Sequence, residues 1–166
     1  MQLDEGKRQF IESWGQLGIN WGTNKTMGMV HALLMVSSEP LCTDDIMQHL
    51  EISRGNVNTN IRGLMDWNLA HKKFKKGDRK EYFIAEKDVV KIFKQVIYQR
   101  KKKELDPMLK VLSEISAVEG NCQESNEFCK VVNELNQFSH NADKVLNTLI
   151  NTESKWILNT MMRFMR

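Results

Sequence analysis

The chain has 166 residues, 41% of them hydrophobic and 27% charged, with a formal net charge of +3. These proportions belong to a folded globular domain, alone or with an oligomerisation arm, and argue against a disordered polyelectrolyte. No apolar run approaches the roughly 18 residues of a membrane span, and the opening MQLDEGKRQF holds no apolar signal core, so a cytoplasmic protein without a membrane partner is expected.

Phe10, Trp14, Leu17 and Trp21 are spaced by four, three and four, one stripe of an amphipathic helix over about 3–21. Met27, Val30, Leu33 and Leu34 begin a second helical stripe, which has to stop by Glu39 because Pro40 restricts the residue before it. Thr43 suits an N-cap ahead of Asp44, Asp45 and Ile46, with two carboxylates at the positive end of the helix dipole. Ile46, Met47 and Leu50 form the buried side of that helix. Glu51-Ile52 is a tight break, and Ser53 then caps a second short helix reaching about Asp66. Val57, Ile61, Leu64 and Met65 recur at i, i+4, i+7 and i+8 and face inward. Gly55, Asn56, Thr59, Arg62 and Gly63 fall on the outer side, with Asn58 at its flank. Two short helices joined by a brief turn, the second polar outside, predict a helix-turn-helix.

Residues 69–74 can extend as a strand, Lys75-Lys76-Gly77-Asp78 supplies a turn with Gly77 free to take positive φ, and residues 79–84 return. A basic hairpin directly after a helix-turn-helix is a wing. Val89, Val90, Phe93, Val96 and Ile97 mark a long helix from 86 to about 104, ending in Arg100-Lys101-Lys102-Lys103. Asp106-Pro107 reads as N-cap and first residue of another helix, with a break or kink near Leu105. Gly120-Asn121 marks a turn. A short helix then carries Phe128, Val131, Val132 and Leu135, and a last one, over 140–166, carries Val145, Leu146, Leu149, Ile150, Trp156, Ile157, Met161 and Phe164. The expected fold is mainly α with a small β-hairpin. Residues 1–40 are N-terminal helices for dimerisation and support, 41–85 a winged helix-turn-helix, and 86–166 a helical dimerisation and effector region.

Charge is uneven along the chain. Residues 53–80 hold eight Lys or Arg against Asp66 and Asp78, whereas 104–166 hold six against nine Asp or Glu. One basic segment beside an acidic remainder suggests that a polyanion is met at one place; a merely solvated charged surface is the bland alternative. Cys42, Cys122 and Cys129 form no CxxC pair, so each is read as a buried thiol packing as a small hydrophobe. His31, His49, His71 and His140 show no HxH or HExxH spacing, and no Gly-rich phosphate loop or nucleophile elbow occurs. No enzyme, cofactor or metal site is expected.

The chemistry of the basic segment suits duplex DNA. A recognition helix lays its N-terminal side chains against base edges in the major groove. Asn56 and Asn58 offer the amide donor and acceptor suited to adenine, and Arg54 or Arg62 suits guanine or a phosphate. Ser53 and Thr59 are natural phosphate partners. At the hairpin tip Lys75, Lys76, Arg79 and Lys80 would neutralise phosphates or enter the minor groove. Gly55 and Gly63, costing roughly 1 kcal/mol each in a helix interior, are rationalised by close approach of backbone to DNA, or are simply tolerated.

Several stretches together resemble the MarR-type winged-helix regulators, specifically their GbsR-like branch. They are residues 12–72, within which EPLCTDDIMQHLEISRGNVNTNIRGL is the most telling part, the wing KKGDRKEYF at 75–83, and AEKDVVKIFKQVIYQRKKKELDPML at 85–109. The resemblance covers about residues 5–110. It implies a homodimer bound to a pseudo-palindromic operator and usually repressing transcription, its first and last helices, here 3–21 and 140–166, interlocking across the two-fold axis. Both carry more apolar residues than a small winged domain could hide. Relatives of this kind include choline sensors, and Trp14 and Trp21, two turns apart, are candidates to line a pocket at the dimer interface for a quaternary ammonium through cation–π attraction. An aromatic stripe at helical spacing is more often plain core. The alternative function is a winged helix used for protein contact or in a nucleoprotein complex.

Overall fold

The computed structural model describes residues 1–118 and 122–152 and divides the chain into two units, Met1–Val96 and Ile97–Arg166. The turn expected at Gly120-Asn121 and the apolar positions Trp156, Ile157, Met161 and Phe164 lie outside the described residues.

Helix α2 (Lys25–Val36) is the centre of the first unit. Its sequence KTMGMVHALLMV buries Met27, Gly28, Val30, His31, Ala32, Leu33 and Leu34, far more than one stripe, as a helix enclosed by its neighbours must. It starts at Asn24, whose side-chain oxygen accepts the N–H of Met27 at 2.8 Å. Helix α1 (Leu3–Asn20) crosses it almost backbone to backbone. A Cβ added to Gly28 would lie 2.8 Å from the Cα of Gly15 and 2.8 Å from the carbonyl oxygen of Trp14. Glycine at this crossing is a requirement of space, and the stripe of aromatic residues does not announce it. Ile11, Trp14 and Trp21 pack against the core of this unit, which leaves Leu3 and Ile19 as the exposed large hydrophobics between Leu3 and Asn20.

The helix-turn-helix is present. Helix α3 (Thr43–Leu50) begins one residue earlier than expected: Cys42 is the N-cap and Thr43 already lies in the helix. The N–H of Cys42 donates to Asp45 Oδ2 at 2.8 Å, and this bond holds the Asp45 carboxyl below the usual carboxylate range. Glu51 turns the chain with φ 54. Helix α4 (Arg54–Asp66) starts at Ser53, whose hydroxyl accepts the N–H of Asn56 at 3.3 Å. Its inner side carries Val57, Ile61 and Leu64, all buried, with Met65 packed beside them. It ends in a Schellman motif with Asn68 in the left-handed region: Leu69 N–H donates to Leu64 O at 2.8 Å and Asn68 N–H to Met65 O at 2.9 Å.

That turn launches a small antiparallel sheet with order β1-β3-β2, from β1 (Leu41–Cys42), β2 (Ala70–Lys73) and β3 (Tyr82–Ala85). Strand β1 is too short to show a period and was not foreseen; it pairs Leu41 with Phe83 and Cys42 with Tyr82. The hairpin pairs Ala70 with Ala85 and Lys73 with Tyr82, and Gly77 takes φ 85 as expected. The return strand starts at Tyr82 and not at Arg79. Asp78 explains the delay, because its carboxylate accepts the Lys80 N–H at 2.9 Å and the Tyr82 hydroxyl at 2.6 Å, which takes residues 79–81 out of the ladder. The core joins Met27, Val30, Leu33 and Leu34 to Ile46, Val57, Ile61, Leu64, Trp67, Leu69, Phe83, Ile92 and Val96. Each large apolar side chain buried there contributes about 1.5–3 kcal/mol.

Helix α5 (Val89–Arg100) runs into a π-helical turn, Lys101–Leu105, and then α6 (Asp106–Ile115). The irregularity near Leu105 is therefore real, but it is not a restart at an N-cap. Leu105 and Asp106 keep right-handed helical angles, and the widened turn lets the chain continue past Pro107, whose ring would otherwise meet the preceding turn. Lys101 Nζ lies 2.7 Å from Asp106 Oδ1 and 2.8 Å from Asp143 Oδ1. Helix α7 (Gln123–Asn151) is one continuous 29-residue helix, where two helices were expected. No glycine or proline interrupts 123–151, so nothing breaks the hydrogen-bond ladder. Of the three thiols only Cys42 is buried; Cys129 is half-buried and Cys122, the N-cap of α7, is exposed. Among the described residues no helix is long and apolar enough to cross a membrane.

Candidate nucleic-acid interface

Helix α4 carries Arg54, Gly55, Asn56, Asn58, Thr59 and Arg62, together with its cap Ser53, on exposed surface. Gly63 does not share it. A Cβ there would sit 3.2 Å from Met27 Sδ, so Gly63 turns toward α2, and the reading that a bare backbone at 63 approaches DNA is corrected. Gly55 has nothing within 4 Å of an added Cβ and stays on the open face.

The exposed side chains of α4 are of two kinds. Asn58, Thr59 and Arg62 make no side-chain hydrogen bond or ion pair among the described residues. Arg54 pairs with Asp44 of α3, and Lys80 of the hairpin lies 3.6 Å from the same carboxylate. Asp44 thus draws a cation from α4 and one from the hairpin to a single point, a role the sequence reading did not give it. Its side chain is half-exposed, so the pairs orient more than they stabilise, at up to about 1 kcal/mol each. Asn56 is also held internally, its Oδ1 accepting from the buried Asn60 at 2.7 Å.

At the hairpin, all four cations at the tip are exposed. Lys75 Nζ sits 4.1 Å from the centroid of the Tyr82 ring. The Tyr82 hydroxyl, donating to Asp78, has its pKa pushed up to about 12. Lys72 pairs with Glu81 at 2.5 Å across the hairpin. Lys76 and Arg79 make no ion pair among the described residues, which leaves their charges available to an external anion. The arrangement is a polar helix with cationic hairpin beside it, braced through Asp44, and a groove-filling polyanion is the partner that such a surface suits.

Trp14 and Trp21, the candidate effector residues, do lie together. Their ring centroids are 5.3 Å apart with planes at 84°, and the Phe10 ring centroid lies 5.3 Å from that of Trp14. Trp14 Nε1–H donates to His31 Nδ1 at 3.2 Å. The space these rings leave with Trp67, Met27 and Leu64 is about 10 Å³, the volume of one water-sized sphere. No group of three or more His, Cys, Asp or Glu is placed to hold a metal ion among the described residues.

Comparisons with known proteins agree with this architecture. The chain is 24% identical over 115 residues to the HTH-type transcriptional repressor GbsR of Bacillus subtilis, covering 69% of this chain and 63% of the relative. It is 22% identical over 121 residues to the HTH-type transcriptional repressor OpcR of the same organism, covering 64% of this chain and 65% of that one. The aligned parts span less than two thirds of either relative's length. A crystal structure of a transcriptional regulator superposes with a TM-score of 0.63 at 17% identity, covering 87% of this chain and 95% of the other, a likeness of fold. No family model matches. The resemblance to the GbsR-like branch of MarR-type regulators therefore stands, as does the winged helix-turn-helix fold, and the relatives' names describe regulators and not enzymes.

Proposed function

We propose that the chain is a sequence-specific DNA-binding regulator of transcription, a homodimeric repressor on a pseudo-palindromic operator in the cytoplasm, relieved by a small-molecule effector. The observation that carries this reading is the pairing of an open polar helix face, Asn58, Thr59 and Arg62, with two hairpin cations, Lys76 and Arg79, that make no ion pair among the described residues. In it residues 41–85 meet DNA, 1–40 support them and join in dimerisation, and 86–166 dimerise and couple to the effector. Exposed Met108 and Val111 of α6 and Phe128, Val131, Leu135, Phe138 and Val145 of α7 support dimerisation, since apolar residues at this density on a helical pair are usually covered by a partner.

Selection from a random duplex pool tests the reading, with an expected palindrome of half-sites about 10 bp apart. On that site Arg62→Ala should weaken binding by about 1–3 kcal/mol and relax preference at one position per half-site. Arg79→Ala should weaken all sequences alike and lower the slope of log affinity against log salt by about one per protomer. If both variants bind as the parent does at fixed salt, these assignments go. The other function considered, a winged helix that contacts protein, has Phe74 at 75% exposed beside the hairpin in its favour; a pool that yields no enriched sequence would favour it.

The proposed effector is a quaternary ammonium in a pocket that Trp14 and Trp21 line at the dimer interface. With about 10 Å³ in the space that the two rings line with Met27, Leu64 and Trp67, the cation has to move these side chains on entry. Choline or betaine should therefore change tryptophan fluorescence and lower operator affinity together. Flat fluorescence with unchanged affinity would dismiss the cage.

A further inference from the structure

A chain of amides runs from α2 into the exposed face of α4. Asn24 caps α2 through Oδ1, which accepts the Met27 N–H at 2.8 Å, and its Nδ2 donates to Asn60 Oδ1 at 2.9 Å. Asn60, 3% exposed, is the buried polar residue of α4. Its Nδ2 donates to Asn56 Oδ1 at 2.7 Å and to the Asn56 carbonyl at 2.8 Å. Every heavy atom of the Asn60 amide is thus matched, as burial demands. Asn24 turns its oxygen to the Met27 N–H, and it is its NH2 that meets Asn60. Asn60 must then answer with oxygen and turn its own NH2 toward Asn56, and Asn56 must answer with oxygen in turn. The helix cap of α2 thereby decides which end of the Asn56 amide is left facing outward.

We infer that Asn60 is a positioning residue for base recognition, which holds Asn56 so that its NH2 alone faces the groove and Asn56 reads an acceptor edge, guanine, instead of adenine. The inference rests on the DNA-binding reading above. An amide reads adenine by donating to N7 and accepting from N6 at once; the bond from buried Asn60 draws Oδ1 inward and takes one of its two lone pairs, so an accepting contact to N6 competes with it. Guanine presents two acceptors, N7 and O6, to a donor. The adenine role expected for both asparagines then falls to Asn58 alone.

The test is selection from a random duplex pool with four full-length proteins, each checked for fold by circular dichroism. The parent should enrich guanine at one position per half-site, and Asn56→Ala should abolish preference there. Asn56→Asp still accepts from Asn60 but turns an oxygen outward, so the preferred base should switch to cytosine, whose N4 donates. Asn60→Leu, similar in volume, releases the Asn56 amide, and adenine should rise at that position by about tenfold, the size of one hydrogen-bond preference. An unchanged motif for folded Asn60→Leu overturns the inference while leaving DNA binding intact, and so does adenine in the parent at the Asn56-dependent position. If Asn60→Leu does not fold, the Asn56→Asp switch decides, and its absence overturns the inference. A parent that enriches nothing overturns the DNA-binding reading itself.

Discussion

Gly28→Ala is expected to melt the protein well below the parent, by about 10 °C. The methyl group would sit 2.8 Å from the Gly15 Cα and 2.8 Å from the Trp14 carbonyl oxygen, so two helix backbones have to separate. Overpacking costs about 1–3 kcal/mol, and contact with backbone instead of a pliable side chain puts this case at the upper end. Helix propensity returns about 1 kcal/mol of that. The net loss of about 2 kcal/mol corresponds to roughly 8–16 °C for a unit of this size. Gly63→Ala is the contrast. Its methyl meets only the thioether of Met27, at 3.2 Å, which yields easily, so the melting temperature should hold or rise. Thermal denaturation by circular dichroism reads both, and a Gly28→Ala protein that melts at or above the parent would refute the crossing as described.

The second large effect is on pH. His31 is buried, and burial lowers its pKa from the ordinary 6.5 to about 4. Its Nδ1 accepts from Trp14 Nε1–H, and its Nε2 has no hydrogen-bond partner among the described residues. The neutral ring therefore carries its proton on Nε2, and a second proton on Nδ1 would remove the bond to Trp14 as well as place a charge in the core. In the unfolded chain the ring protonates near 6.5, so below that pH the unfolded state binds the extra proton and stability falls, levelling off only below about 4. By pH 5 the loss amounts to about 2 kcal/mol. This window lies above the range of ordinary carboxylates, and the lowered carboxyls of Asp45, Asp78 and Glu86 lose their contribution only at lower pH still. His31→Asn keeps an acceptor for Trp14 and removes the titration. Urea unfolding at pH 7 and pH 5 should show the loss in the parent and not in the variant; equal slopes would refute the assignment.

Much of the candidate interface is legible in residue order because its determinants are local. A cap, a run of i, i+4, i+7 apolar positions and a Gly in a basic turn each act within a few residues, so Ser53, the inward set Val57, Ile61 and Leu64, and Gly77 are found where they were expected. Gly63 was misassigned because it lies at the margin of the inward face, where only the neighbour across the gap, Met27, tells which side it serves. Asp44 was read as a helix-dipole residue. Its second role depends on Arg54 and Lys80 arriving from elsewhere in the chain. Asn60 carries no signal in residue order for a related reason: an asparagine on an inward face is a liability until its partners, Asn24 and Asn56, are known.

The division follows the range of the forces involved. Sequence by itself determined the helix-turn-helix, the hairpin and the concentration of positive charge, since caps, periodicity and turn residues are short-range and charge is additive. Only the tertiary structure decided that α1 and α2 touch at glycine, that 123–151 is one helix, that the kink near Leu105 is a π turn, and which amide atoms on α4 remain free. Those depend on contacts between residues far apart in sequence, where a shift of under 1 Å exchanges a van der Waals contact for a clash and a hydrogen bond for an unsatisfied group.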